Sequence, residues 1–324
     1  MKTSRLTKVL LGLGLILLVP FMGVSQTKKE AVDAYNAGAT IMKQDPKAAL
    51  ESFYKALEIS EQLGEEGEET KTLAQTLIPR THYELAMKLY KEKNMTGTLE
   101  QLEKAEDMAE KFNDEATKGK VAKTIPQLYN VMGTSNYKDG KYEDAIAYYN
   151  KALSFKPDYP DPLLGIALSY EKLEQVDKMF EYLDKTIEVG TKLNDQKKVE
   201  DATTKAKAFL LKKGDEAQKA NKHEEALGYF NKVLNYESKD ASIYFVIAIN
   251  SNKVEKWDEA IEAAKKAIEL TAGAEADKAA MYYELAQAYQ KKKDVANACA
   301  AYRNAAFGQY KASADYQITQ LKCQ

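Results

Sequence analysis

Helix breakers are scarce in this 324-residue sequence. It has 16 glycines and seven prolines, the last of them Pro162, so the second half runs without a proline. With 30% charged residues and abundant Ala, Lys and Glu, this scarcity excludes collagen-like and disordered chains and predicts a mostly helical protein. An excess of one charge is missing too. Its 47 basic and 49 acidic side chains leave a formal charge of −2, and nucleic-acid binding, which needs a basic face, is not expected. The two histidines, His82 and His223, are remote from each other and from the two cysteines, Cys299 and Cys323, so no zinc-ligand spacing exists. No Gly-rich phosphate loop is found, and no His lies near a candidate Ser or Cys nucleophile. Neither a cofactor nor a metal is expected, and the chain reads as a non-enzyme; catalysis would need distant residues to converge.

Long apolar runs are confined to the N-terminus. Lys2, Arg5 and Lys8 precede an apolar run from Val9 to Val24, and Gly23-Val24-Ser25 offers small residues for cleavage before Gln26. That order predicts a secretory signal peptide over residues 1–25. The alternative is an uncleaved anchor, although 16 residues interrupted by Pro20 are short against the roughly 20 that span a bilayer. Cleavage would leave 44 basic against 49 acidic side chains, a charge of −5. The expected product has no transmembrane span and is exported, either periplasmic or secreted. Such a compartment permits disulfides. Cys299 and Cys323 are therefore open to two readings, a bond locking the end of the fold or two buried thiols.

The length alone suggests two domains at about 150 residues each, but internal repeats replace that inference. One segment reads Tyr129, Met132-Gly133, Gly140-Lys141-Tyr142, Ala145-Ile146, Tyr149, Ala152-Leu153 and Pro157. Another reads Tyr244, Ile247-Ala248, Trp257, Ala260-Ile261 and Ala267-Ile268. Apolar residues recur at spacings of three and four, a polar turn intervenes, and a second amphipathic helix follows. Small residues fall at the eighth and twentieth positions of the unit, where two helices must approach closely. Larger ones fill the fourth, seventh, eleventh and twenty-fourth.

This pattern resembles the tetratricopeptide repeat, a helix–turn–helix unit of 34 residues. Twentieth-position residues are Ala49, Thr98, Ala145, Met179, Ala226, Ala260 and Ala298. Their eighth-position counterparts are Gly38, Ala86, Gly133, Ala167, Gly214, Ala248 and Ala286. The twenty-fourth position holds Phe53, Leu102, Tyr149, Leu183, Phe230, Ala264 and Tyr302. Thr98, Met179 and Ala264 depart from the pattern. The resemblance implies an all-α, right-handed solenoid of about seven hairpins, near 31–61, 79–112, 126–159, 160–193, 207–240, 241–273 and 279–308. A capping helix is expected over 310–322, with Tyr310, Ala314, Ile318 and Leu321 at helical spacing. The whole of 26–324 is thereby expected to form one continuous solenoid.

Three units carry 13 to 15 extra residues, at 58–78, 108–125 and 188–206, charged and Ala-rich rather than Gly/Ser-rich. They read as longer helices. Pro79 and Pro126 then either begin a helix or kink one that continues through them. Gly64 to Glu69 reads as a solvated loop, with an acidic cation site as the alternative.

In the tetratricopeptide family, the fifth, ninth and twelfth positions of the first helices face a concave groove. The resemblance thus nominates Tyr35, Tyr83, Met87, Tyr90, Tyr137, Leu164, Leu168, Leu211, Phe245, Ile249 and Tyr283 as a surface for a peptide or helix of a protein partner. The competing explanation is packing between neighbouring first helices. Lysine occupies the thirteenth position throughout, as Lys43, Lys91, Lys138, Lys172, Lys219, Lys253 and Lys291. This ladder could steer an acidic partner; a helix C-terminus also favours lysine on its own account. Some family members grip a terminal carboxylate with Lys and Asn at the fifth and ninth positions, and no such pair occurs here. The expected function is a non-catalytic interaction scaffold for an exported partner, with a self-associating structural component as the alternative and a small-ligand sensor or enzyme as the least favoured.

Overall fold

The computed structural model describes residues 27–324, so the signal peptide expected at 1–25 lies outside the described residues. The described chain is all-α. Its helices are α1 (Lys28–Ile41), α2 (Pro46–Leu63), α3 (Glu68–Lys91), α4 (Met95–Lys111), α5 (Glu115–Lys138), α6 (Tyr142–Phe155), α7 (Pro160–Lys172) and α8 (Val176–Lys192). They continue as α9 (Gln196–Lys219), α10 (His223–Val233), α11 (Ala241–Lys253), α12 (Trp257–Leu270), α13 (Ala279–Lys291), α14 (Val295–Ala305) and α15 (Lys311–Gln320). Among the described residues no helix is long and apolar enough to cross a membrane.

Two compact units divide the chain after Thr124, within α5. In the first, α1 to α4 pack each on the next, and α1 also meets α3. In the second, consecutive helices from α6 to α15 pack on one another, and the first helices α7 and α9, and α11 and α13, are also in contact. The pairs α1–α2 and α3–α4 in the first unit, and α7–α8, α9–α10, α11–α12 and α13–α14 in the second, pack as helical hairpins.

The turn inside a hairpin recurs because its chemistry recurs. Lys93, Gly140, Glu174, Asn221, Glu255 and Lys293 all occupy the fifteenth position with positive φ. In each case the next residue's N–H reaches back to a carbonyl of the last helical turn, as in Gln175 to Tyr170, Lys222 to Ala217 and Lys256 to Ser251. This is the left-handed helix stop, which satisfies carbonyls that the helix leaves open. A side-chain cap on the following helix completes it where the sequence supplies one, as Asn94 does for Gly97 N and Asp294 for Asn297 N.

Extra residues lengthen the second helix of one hairpin and the first helix of the next. First helices α7, α11 and α13 have 13 residues, whereas α3, α5 and α9 have 24, about 36 Å at 1.5 Å per residue. Pro79 and Pro126 lie inside α3 and α5, which run through them. Two of the long helices open on matching sequences, Phe112-Asn113-Asp114 and Leu193-Asn194-Asp195. The asparagine takes positive φ, and the aspartate caps Thr117 N or Lys198 N. One expectation needs correction: Gly64–Gly67 is a 3-10 turn and Glu68 and Glu69 begin α3, so this stretch is not a loop. Gly67 packs against the backbone of Ser60, which leaves no room for a side chain.

Close packing explains the small residues. All seven twentieth-position side chains are fully buried. Glycine at the eighth position makes room for an aromatic ring at the twenty-fourth. A Cβ on Gly38 would come within 2.9 Å of the Phe53 ring, one on Gly133 within 2.6 Å of Tyr149, and one on Gly214 within 2.5 Å of Phe230. Opposite Ala86, Ala167 and Ala248 the partner is smaller, Leu102, Leu183 or Ala264, whereas Ala286 keeps a full ring at Tyr302.

His82 is buried at the fourth position of the second hairpin. Its Nδ1 lies 2.9 Å from Gln101 Oε1 and its Nε2 2.9 Å from the Tyr54 hydroxyl. Because the amide oxygen can only accept, Nδ1 carries the proton and Nε2 accepts from Tyr54. Burial pushes the imidazole below its usual pKa, and the nearby Lys104 charge adds to this. His82 is a neutral structural linker.

Candidate partner-binding face

Residues at the fifth, ninth and thirteenth positions of a helix are spaced by four, so they form one row; the twelfth lies beside it. The apolar residues nominated above follow this row. In the first unit, Tyr35 is half-buried and tilts onto Phe53, with ring centroids 5.8 Å apart. Tyr83 bonds Thr124 Oγ1 through its hydroxyl at 3.2 Å, and Lys120 Nζ lies 5.7 Å from its ring centre. Met87 is half-buried, and Tyr90 is exposed.

In the second unit the row runs over α7, α9 and α11. Leu164, Leu168, Leu211, Phe245 and Ile249 are each half-buried. Leu164 seats partly against the cluster of Ala167, Met179 and Leu183, and Leu211 against that of Leu210 and Phe230. Tyr137 meets Tyr142 edge-on at 5.5 Å, and burial pushes its hydroxyl pKa up. Tyr283 is different. It packs between Tyr302 at 5.7 Å and Tyr310 at 5.3 Å, so the C-terminal segment takes up one side of the ring. Gln290 on the same helix is likewise engaged, accepting from the Tyr302 hydroxyl at 2.5 Å and bonding Gln317 at 3.0 Å.

All seven ladder lysines are exposed. Six of them are the last residue of their helix, and Lys43 lies two residues beyond α1. The negative end of each helix dipole therefore meets a positive side chain.

The structure also shows a polar seam that sequence reasoning missed. Asn250, fully buried on α11, donates to Gln218 Oε1 at 3.0 Å and to its own helix at Val246 O, while its Oδ1 lies 2.9 Å from His223 Nδ1. His223 thus begins α10 as a hydrogen-bonded link. One helical face further, Asn252 donates to Glu284 Oε2 at 2.8 Å and to Glu284 O at 3.0 Å. Burial pushes the Glu284 carboxyl above its usual pKa. Asparagines near the end of a first helix were the available signal, but their partners sit 27 to 32 residues away, beyond the reach of local spacing rules.

A cavity of about 580 Å³ opens between α7, α8 and α9, with Glu171, Val176, Lys205 and Phe209 among its walls. Its lysines are committed: Lys205 pairs with Glu171 at 2.8 Å and Lys213 with Glu216 at 3.0 Å. Among the described residues no group of three His, Cys, Asp or Glu side chains could hold a metal.

Cys299 and Cys323 are joined in a disulfide, with Cα atoms 5.6 Å apart. The bond ties α14 to the tail after α15. Around it, Ala314 is buried, Ile318 and Leu321 pack on the main cluster, and Arg303 donates to the carbonyl of Gln324.

Two repeat profiles match parts of the chain. A profile described as TPR repeat matches residues 133–174, and one described as tetratricopeptide repeat matches residues 279–306. No curated protein matches the chain. Similar solved structures include the P58(IPK) TPR domain, 18% identical, covering 90% of this chain and 79% of that one, with a TM-score of 0.33. The TPR2AB domain of yeast Sti1 in complex with pHSP90 is 20% identical over 75% of this chain and 96% of that one, with a TM-score of 0.31. YrrB, described as a TPR protein with an unusual peptide-binding site, is 16% identical over 60% and 91%, with a TM-score of 0.32. The chain carries tetratricopeptide repeats, and repeats of this kind serve in general as non-catalytic protein-interaction modules.

Proposed function

We propose that this chain is an exported scaffold whose tetratricopeptide hairpins hold a segment of a partner protein on the apolar row of their first helices. The observation that carries the reading is the recurrence of half-buried Leu164, Leu168, Leu211, Phe245 and Ile249 at equivalent positions of α7, α9 and α11. A face serving only water would be polar there. Helices fixed by packing need little reordering, so the ordering cost falls mainly on the partner segment.

A photo-cross-linker placed at Leu168 in the native cell should give a discrete adduct with another protein. Combining it with Phe245→Asp and Ile249→Asp should cut the yield roughly tenfold, since anchors in an apolar patch dominate binding. The same probe at Glu262, on the second helix α12, should give no such adduct. Equal yields from Leu168 and Glu262 would sink the reading, and an adduct of two copies of the chain would assign self-association instead.

Export rests on the charged-then-apolar order of residues 2–24. The disulfide supports it, since such bonds persist in oxidising compartments. The mass of the chain recovered from its native host should correspond to a start at Gln26. A mass that retains residues 1–25 would replace cleavage by anchoring.

A further inference from the structure

We propose that the apolar row of the second unit takes an acidic protein segment, one in which carboxylates alternate with apolar side chains. The inference rests on the reading of that row as a partner site and adds the charge of its occupant. Lys172, Lys219 and Lys253 end α7, α9 and α11 and are exposed. Among the described residues none of the three has an ion pair or a side-chain hydrogen bond. Elsewhere in this unit, lysines find carboxylates: Lys192 reaches Asp158 at 2.6 Å, Lys198 reaches Asp161 at 2.7 Å, and Lys256 reaches Glu224 at 2.6 Å.

Three carboxylates near the ladder are already engaged. Glu171, beside Lys172, is held by Lys205 at 2.8 Å. Glu216, three residues before Lys219, is held by Lys213 at 3.0 Å. Glu284, which feels the Lys253 charge, accepts from Asn252 at 2.8 Å and is pushed towards its neutral form by burial. Asp215 lies one turn before Lys219 without pairing with it. The ammonium groups are thus left for an outside anion.

Apolar surface lies one helical turn from them, at Leu168 before Lys172 and at Ile249 before Lys253. A bare polyanion would waste that surface, and a purely apolar segment would leave the cations idle; a segment with both satisfies both. Neighbouring helices pack roughly 10 Å apart, so an extended chain meets a new lysine about every three residues. Recognition here is of side-chain carboxylates along the segment. It differs from a grip on a chain terminus, for which the fifth and ninth positions lack the Lys–Asn pair.

The test uses the full chain and two fluorescein-labelled peptides of about ten residues, enough to cross three helices. One alternates Glu with Leu, and the other has Gln in place of Glu. Anisotropy at low salt should show the Glu peptide binding at least roughly tenfold more tightly, with the advantage shrinking as salt is raised. Lys172→Glu, Lys219→Glu and Lys253→Glu together should erase that advantage and leave the circular dichroism unchanged, because all three side chains are exposed.

Equal binding of the two peptides, or a Glu preference that survives the reversal, overturns the inference. Equal binding that is lost with Leu168→Asp and Ile249→Asp overturns the acidic occupant alone and leaves the apolar row as a partner site. Binding of neither peptide overturns both. Tighter capture of an oligonucleotide or of phosphatidylserine vesicles than of the Glu peptide also overturns it.

Discussion

Replacing Cys299 and Cys323 together by serine should free the C-terminal end of the chain without unfolding the rest. The bond closes a loop between residues 24 positions apart, and its loss restores to the unfolded segment an entropy equivalent to roughly 3.5 kcal/mol. The contacts left to hold the end are few. They include the buried Ala314, the partly buried Ile318 and Leu321, the Tyr310–Tyr283 ring contact, the Gln317–Gln290 hydrogen bond and the Arg303 bond to the Gln324 carbonyl. Stacked repeats respond locally, because each hairpin is stabilised mainly by its neighbours. Amide protection over 311–320 should therefore fall by about two orders of magnitude. Protection in α9 to α12 should change little. Unaltered exchange in α15 would show that packing alone secures it.

Tyr149→Ala should be the most damaging single substitution in the second unit, at about 4 kcal/mol. Its ring is 3% exposed and fills a space that two glycines leave open. Gly133 flanks it from its own hairpin, and Gly165 from the first helix of the next, so close that a Cβ on either would collide with the ring. Ala145 and Ile166 complete the cluster. Loss of the ring therefore opens a cavity that spans two hairpins, and the glycines have no side chains with which to fill it. The hydroxyl donates to Thr134 Oγ1 at 3.3 Å, a long bond. Tyr149→Phe should accordingly cost only about 1 kcal/mol. Urea unfolding followed by circular dichroism separates the two variants. Equal losses would mean that the hydroxyl, rather than the ring volume, secures the junction.

The repeat was legible because its packing is local. Gly133 and Tyr149 lie 16 residues apart, and Ala86 and Leu102 the same, so one hairpin contains the whole constraint. Longer helices were also legible at 108–125 and 188–206, since each stretch holds a single glycine and no proline. Their starting points were less so. The stops at Asn113 and Asn194 are single left-handed residues within charged sequence, and they become visible only when the backbone is seen to turn there. Gly64–Gly67 misled for the opposite reason: two glycines and two glutamates resemble a loop, yet Gly67 is small because Ser60 packs on it.

At the candidate face, the sequence placed apolar residues and lysines on one row, and helical geometry makes that placement independent of what surrounds it. Whether a side chain on the row is already in use depends on what packs against it. Tyr283 is taken up between Tyr302 and Tyr310, while Leu168 and Ile249 stay half-buried at the ninth position, although nothing in their spacing distinguishes the hairpins.

By itself, then, the sequence determined the helical hairpin, the size of its core residues and the order of the lysine ladder. Each follows from residues within one turn or one hairpin of each other, where the backbone period fixes the distances. Only the tertiary structure decided which cations remain without a counter-charge, which polar groups join across hairpins, and that the two cysteines meet. Those outcomes depend on side chains brought within a few ångströms by packing between hairpins, and linear spacing does not encode such distances.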